Sequence, residues 1–300
     1  MKFSKKTKLA FILVVVFLIG LAVPSYSWTR KNVKEIETFY NSKLSPIIMI
    51  PGSSATENRF DGLVRKLNQD RHGVKHSLLK VKVWNNGRIT FEGKIKAKDN
   101  EPVIVIGFEN NKDGYSNIKK QAKMMNQAFE ALQNKHRTST VMPCMQPSIR
   151  RLDFKGLAHS NGGLIYTAFI ENYLSDYDVK INSLMTIGTP YNFTETNIKN
   201  KSVMLADFIA GKKNIPSTLH VYSVAGTITY DSDELVPDAS VSAGKYIYQN
   251  QAKSYTEITV TGEDAQHSDL PTNDEVVDLV KQHIEGQGVR KKQKTQLEPQ

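Results

Sequence analysis

Cysteine is almost absent from this 300-residue chain: Cys144 stands alone, in Met142-Pro143-Cys144-Met145-Gln146-Pro147. One thiol excludes an internal disulfide and any thiolate cluster for a metal. The seven histidines, His72, His76, His136, His159, His220, His267 and His283, show no paired ligand spacing. Neither a Gly-x-x-x-x-Gly-Lys phosphate loop nor a dinucleotide glycine fingerprint occurs. The acidic run Asp231-Ser232-Asp233-Glu234 with Asp238 lacks the glycine and the bidentate glutamate of a calcium loop. No metal and no organic cofactor is therefore expected. No apolar run reaches the roughly 20 residues of a spanning helix, since the run from Leu9 to Val23 has 15. A body of one charge sign is missing as well. The net charge is +10, but seven of the 40 basic residues lie in 1–35 and four in 286–300, against one acid in each. The stretch 36–285 keeps 29 basic and 28 acidic side chains, which gives no support to a nucleic-acid groove.

What is present begins at the N-terminus. Lys2, Lys5, Lys6 and Lys8 precede the apolar run, and Pro24-Ser25-Tyr26-Ser27 offers small residues for cleavage before Trp28. Residues 1–27 thus read as a signal peptide, with an uncleaved membrane anchor as the alternative. Residues 28–45 follow as a membrane-proximal segment. At the other end, residues 286–300 have no apolar period and read as a disordered basic tail, able to meet anionic lipid or wall polymer. Between them, 46–285 is long enough for one α/β core. Strands alternating with helices imply a mostly parallel sheet covered on both faces. Leu78 to Trp84 and Arg88 to Glu92 flank Asn85-Asn86-Gly87, a hairpin signal that adds an antiparallel edge. Val103 to Phe108 reads as a buried strand, Asn117 to Gln133 as a helix with outward lysines, and Ile181 to Pro190 as a further strand.

The most informative segment is Ala158-His159-Ser160-Asn161-Gly162-Gly163. Arg151 to Leu157 before it reads as a strand, and Leu164 to Ile170 after it as an apolar helix. A serine on such a bend is held out from the sheet edge, and small residues two before and two after it avoid collisions in the turn. A nucleophile there needs an acid and then a histidine, each after a later strand. Leu219 to Gly226 reads as a strand leading to Asp231, Asp233 and Glu234. Tyr255 to Val260 reads as the next, leading to His267, and a helix from Asp274 to Ile284 ends the body.

With these residues in view, the chain resembles the α/β-hydrolases, and most closely the cell-surface α/β-hydrolases of Gram-positive bacteria grouped as DUF915. Four segments carry the likeness, which runs from about Pro46 to about Ile284. Ile47 to Ser54 is similar to the family's first strand and oxyanion loop, and Ala158 to Gly163 to its elbow. Ser232 to Pro237 resembles its Ser-Asp-Gly-x-Val-Pro acid loop, and Ala265 to Leu270 its His-Ser-x-Leu loop. Ala158 replaces a usual glycine, and so does Glu234.

The resemblance implies an α/β-hydrolase fold and a Ser-His-Asp triad, and the chemistry of each side chain fits. Ser160 is the expected nucleophile, His267 the general base and Asp233 the carboxylate that fixes the imidazole, with Asp231 and then Asp207 as alternatives. The oxyanion hole is expected from the backbone N–H of Asn161 and of Ser53. His159 must point sideways from the bend and reads as packing or access. His220 lies within a strand, His283 falls too late to face the serine, and His72 and His76 fall in a basic, surface-like stretch. Between Pro190 and Ser217, Tyr191, Phe193, Met204, Leu205, Phe208 and Ile209 read either as a lid lining an acyl pocket or as a surface helix burying one face.

The expected activity is that of an exported serine hydrolase of carboxylic esters, esterase- or lipase-like. Its partner is a small-molecule or lipid-like ester, with membrane or cell-wall association and no nucleic acid. Acyl transfer or amide cleavage on wall material by the same triad is the first alternative. A non-catalytic surface binder on this scaffold is the second. A single cysteine in an exported chain suits a Gram-positive exterior.

Overall fold

Apolar strands alternate with amphipathic helices from Ile47 onward, and the central strands bury side chains on both faces. The computed structural model describes residues 20–26, 44–69, 71, 73–96, 99–137, 153–228 and 230–285. It divides into two units, Met1–Lys43 and Leu44–Gln300. In the first, residues 20–26 are helical and exposed. The lysine-rich start, the expected cleavage position after Ser27, His72, Cys144 and the basic tail lie outside the described residues. No helix among those described is long and apolar enough to cross a membrane.

The second unit is built on eight strands: β1 (Ile47–Ile50), β2 (Leu78–Val83), β3 (Ile89–Gly93), β4 (Val103–Phe108), β5 (Phe154–His159), β6 (Ile181–Ile187), β7 (His220–Thr227) and β8 (Ser254–Thr261). They form one sheet in the order β3-β2-β4-β1-β5-β6-β7-β8. Every pairing is parallel except β2 with β3, where Val83 faces Ile89. The Asn-Asn-Gly turn makes that edge. Gly87 donates its N–H to the Trp84 carbonyl at 2.9 Å, and Trp84 donates to the Arg88 carbonyl at 2.9 Å. Gly87 has φ +81°, the left-handed residue that closes a three-residue hairpin loop. The antiparallel edge expected from the sequence is therefore present.

Alternation along β1 explains the two layers. Ile48 and Ile50 enter one core, with Ile104, Ile106 and Ala158 from neighbouring strands. Ile47 and Met49 enter the other, with Val103, Val105 and Leu157. Helices α2 (Tyr115–Arg137), α3 (Asn161–Asn172) and α4 (Val203–Gly211) cover the first face. Helices α1 (Asp61–Gln69) and α7 (Asp274–His283) cover the second. Two short helices, α5 (Asp238–Ser242) and α6 (Lys245–Tyr248), lie between β7 and β8. Each fully buried Ile, Leu, Val or Phe contributes about 1.5–3 kcal/mol, so the double-sided burial of β1, β4 and β5 anchors the sheet. Lys119, Lys120 and Lys123 of α2 are exposed, as expected.

Of the residues read as a lid, Tyr191, Met204, Leu205 and Phe208 are buried in the first core, and Phe193 and Ile209 pack against it. Their packing is that of a helix on the body. Parallel strands bring their carboxyl ends to one edge, where loops converge on a crevice. The segments after β1, β4, β5, β6, β7 and β8 meet there.

His76 departs from the sequence reading. It is buried, with its Nε2 2.6 Å from Glu285 Oε1, beside Arg71. Glu101 joins this cluster through Arg71 at 3.2 Å and through Lys155. Opposite charges brought from four distant segments bury a stretch that composition alone marks as surface. The cluster lies at the start of β4 and β5, away from the carboxyl edge.

Candidate active site

The bend at Ser160 follows from what its neighbours lack. Ser160 follows β5 directly and precedes the first residue of α3, with φ 55° and ψ −133°. A non-glycine residue held there costs on the order of 1–3 kcal/mol and persists only where surrounding contacts enforce it. Those contacts are close. A Cβ on Gly162 would meet the Ile50 carbonyl oxygen at 2.2 Å, and one on Gly163 would meet Thr189 Oγ1 at 2.2 Å. A Cβ on Gly52 would meet Ser160 Cβ at 2.6 Å. Absent side chains let the ends of β1, β5 and β6 close around the serine. The Ser160 N–H bonds the Ile187 carbonyl at 2.8 Å, and Thr189 Oγ1 donates to the Ser160 carbonyl at 3.0 Å.

His267, in the segment after β8, brings Nε2 to 3.0 Å from Ser160 Oγ. Its Nδ1 lies 2.6 Å from Asp233 Oδ2. A carboxylate only accepts, so Nδ1 carries the proton and the Nε2 lone pair faces the serine hydroxyl. Asp233 is fully buried. Its Oδ1 accepts the N–H groups of Leu235 at 3.1 Å and Val236 at 2.7 Å. Its carbonyl accepts the His267 N–H at 3.0 Å, which joins the two loops directly. Every acceptor of this buried carboxylate thus has work, and the imidazole has one orientation.

The alternatives lie elsewhere. Asp231 is exposed, and its carbonyl receives the Asp238 N–H at 2.8 Å. Asp207 is on α4 and accepts from the Tyr115 hydroxyl at 2.8 Å. His220 Nδ1 is 2.7 Å from Ser254 Oγ, and the His283 ring stacks on Tyr222 at 4.3 Å. Glu234 has φ +72°, the left-handed region, at the place where the similar acid loop has glycine.

Ser53 and Asn161 border the serine on the β1 side. Asn161 opens α3, so its N–H is one of the amides that a helix start leaves without an intrahelical acceptor. Its side chain Nδ2 donates to Ser53 Oγ at 2.6 Å and to Asp113 Oδ1 at 2.7 Å. The partly positive helix start and the convergent donors suit developing negative charge.

His159, read as packing or access where other residues around the site drew no such reading, is buried, and its Nε2 donates to the His267 carbonyl at 2.9 Å. Its ring lies against that of His267, with centroids 4.8 Å apart. Burial, and secondarily His267, hold its pKa well below the ordinary histidine value, so it is neutral. Arg59, just before α1, donates to the Ser268 carbonyl and braces the histidine loop. Gly188, at the end of β6 with φ +57°, lies flush against the Asp233–His267 pair. Asp238 has its carboxyl raised to about 6, by burial first and then by Asp233 and Asp231. Asp113 and Gly188 each follow a strand's carboxyl end, and that position is the signal that could have found them.

Comparison with known proteins agrees with this fold. A proposed cell surface hydrolase of Lactobacillus plantarum is 46% identical, with 80% of this chain and 91% of that one covered and a TM-score of 0.69. A gene product of Listeria innocua is 26% identical, with 79% and 92% covered and a TM-score of 0.68. Comparison with curated proteins gave no match. Residues 34–287 match the family described as alpha/beta hydrolase of unknown function, DUF915. The chain therefore belongs to the DUF915 family of α/β hydrolases.

Proposed function

We propose that this α/β hydrolase cleaves carboxylic esters through an acyl-enzyme on Ser160. The observation that carries the reading is the aligned chain from Ser160 Oγ to His267 Nε2, at 3.0 Å, and from His267 Nδ1 to Asp233 Oδ2, at 2.6 Å. In the first half-reaction, Ser160 Oγ attacks the acyl carbon as its proton passes to His267 Nε2. Buried Asp233 stabilises the imidazolium, and the backbone N–H groups of Asn161 and Ser53 receive the oxyanion. One such donor is worth about 3 kcal/mol in the transition state. Collapse expels the alcohol, which takes the proton from His267. Water, activated by the same imidazole, then attacks the acyl-serine and releases the acid.

Exposed apolar residues support an uncharged acyl portion. Ile228, Tyr230 and Leu235 are exposed on the loop that carries Asp233. The substrate is accordingly a small-molecule or lipid-like ester. The N-terminal lysines and apolar run, with the similarity to a proposed cell surface hydrolase, support action at the cell surface, on membrane or wall material.

The test is hydrolysis of p-nitrophenyl esters of graded chain length by the wild type and by Ser160→Ala. The variant should lose roughly 10³-fold or more in kcat/KM, with an unchanged melting temperature. Wild-type turnover by a folded Ser160→Ala protein would overturn the reading.

A further inference from the structure

We propose that the Ser53 hydroxyl is a third donor to the oxyanion, aimed by Asp113 through the Asn161 side chain. This deepens, and rests on, the ester-hydrolase reading above. Its basis is the direction of three polar groups. The Asp113 carboxylate can only accept, so the end of the Asn161 amide that faces it must be the NH2 group. The same Nδ2 lies 2.7 Å from Asp113 Oδ1 and 2.6 Å from Ser53 Oγ. Its two protons are therefore both committed, one to each oxygen. Ser53 Oγ is consequently an acceptor toward Asn161, and its own proton is left to donate elsewhere.

That hydroxyl is carried by the loop that packs on the nucleophile and is held by Asn161, the residue that follows Ser160. Gly52, the preceding residue, is flush with Ser160: a Cβ there would lie 3.2 Å from Ser160 Oγ. The loop is also fixed. Ser54 takes φ +57°, its N–H bonds the Asn111 carbonyl at 2.8 Å, and Asn111 Nδ2 bonds the Ala55 carbonyl at 3.1 Å. The segment that carries Asp113 is thus fastened to the segment that carries Ser53. Asn117 Nδ2 holds the Asp113 carbonyl at 2.7 Å from the first turn of α2. A hydroxyl that already accepts a hydrogen bond is the stronger donor for it. Its proton is preorganised for charge that appears only in the transition state, which raises kcat and leaves KM nearly untouched.

Ser53 is a catalytic residue in this account, whereas Asn161, through its side chain, and Asp113 are positioning residues. An isosteric change separates direction from packing. With Asp113→Asn the neighbour can both donate and accept, so the Asn161 amide is free to turn its oxygen toward Ser53. The Ser53 proton would then be drawn away from the oxyanion.

The experiment is steady-state ester hydrolysis by full-length wild type, Ser53→Ala, Ser53→Thr, Asp113→Asn and the Ser53→Ala/Asp113→Asn pair, with Ser160→Ala as reference. Ser53→Ala should lower kcat roughly 10²-fold at near-constant KM, and Ser53→Thr should restore most of it. Asp113→Asn should lower kcat roughly 10-fold in the wild-type background and hardly at all on Ser53→Ala, since it acts through that hydroxyl. Ser160-dependent turnover that is indifferent to Ser53→Ala, or an Asp113→Asn effect that persists undiminished without the hydroxyl, would overturn the relay alone. Turnover that survives Ser160→Ala would overturn the hydrolase reading and the relay together. Should Ser53→Ala fail to fold, Asp113→Asn decides, because its carboxylate is exposed: unchanged kcat would overturn the relay.

Discussion

Replacing Gly188 by alanine should damage catalysis more than folding, because one methyl group meets both members of the Asp233–His267 pair. A Cβ at that position lies 3.1 Å from Asp233 Oδ2, 3.1 Å from His267 Nδ1 and 3.2 Å from His267 Cε1. These contacts are shorter than ordinary van der Waals separations, so something must move by a few tenths of an ångström. Asp233 cannot easily yield, since it is fully buried and two backbone N–H groups bind its second oxygen. His267 is the freer partner, and its displacement lengthens the 3.0 Å approach to Ser160 Oγ. Misplacement of reacting groups by up to an ångström costs as much as about 100-fold, so kcat/KM should fall roughly 10- to 100-fold. The backbone contributes separately: φ is +57°, and alanine there costs about 1–2 kcal/mol. At about 2–4 °C per kcal/mol for a unit of this size, the melting temperature should fall by about 2–8 °C. Gly87→Ala is the control. Gly87 has φ +81° and nothing within 4 Å of a built Cβ, so it should show a similar thermal loss at full activity. Ester hydrolysis and thermal melts of the two variants decide the matter. A Gly188→Ala protein with the Gly87→Ala thermal loss and wild-type kcat/KM would refute the packing argument.

Other consequences are as direct. Glu171 on α3 is buried, its Oε1 has no hydrogen-bond partner among the described residues, and burial with Asp207 raises its carboxyl to about 8. Its folded pKa lies above the unfolded one, near 4.5, so the native state binds more protons between them and stability falls as pH rises from about 4.5 to 8. Glu171→Gln should therefore flatten that slope and gain on the order of a few kcal/mol at pH 8, read by urea melts at pH 5 and pH 8. An unchanged slope would contradict the assignment. Lys155→Met should lose about 1–3 kcal/mol, because it takes one paired cation from buried Glu101, which also meets Arg71. The same variant should keep its kcat/KM, since Lys155 lies at the opposite end of β5 from Ser160. Glu234→Gly should raise the melting temperature by roughly 2–4 °C, relieving a left-handed residue at about 1 kcal/mol.

The sheet and the core of the site were legible because each part is written locally. Small residues around Ser160 and an Asn-Asn-Gly turn act within a few positions. An acid or a histidine just after an alternating strand is a local mark, although Asp233 and Ser160 lie 34 and 107 positions from His267. The sequence favours Asp233 and keeps Asp231 as an alternative, and backbone geometry then shows Asp233 turned inward, accepting from Leu235 and Val236. The cluster of Arg71, His76, Glu101, Lys155 and Glu285 was invisible for the opposite reason. Its partners come from segments up to 214 positions apart, from Arg71 to Glu285, and each charge alone looks like surface. His159 was read as packing or access, yet its hydrogen bond to the His267 carbonyl joins residues 108 apart. Asp113 carries no local signal, because its contact is with the Asn161 side chain, 48 positions away. The apolar residues between Pro190 and Ser217 fit a lid or a packed helix equally well by composition, and only burial separates the two.

Labelling with a fluorophosphonate followed by peptide mass mapping tests the central claim most directly, that His267 and Asp233 activate Ser160. The account predicts one covalent adduct, on Ser160, and its loss in a folded His267→Ala variant. A folded wild-type protein that forms no adduct, or one that labels equally without His267, would contradict it.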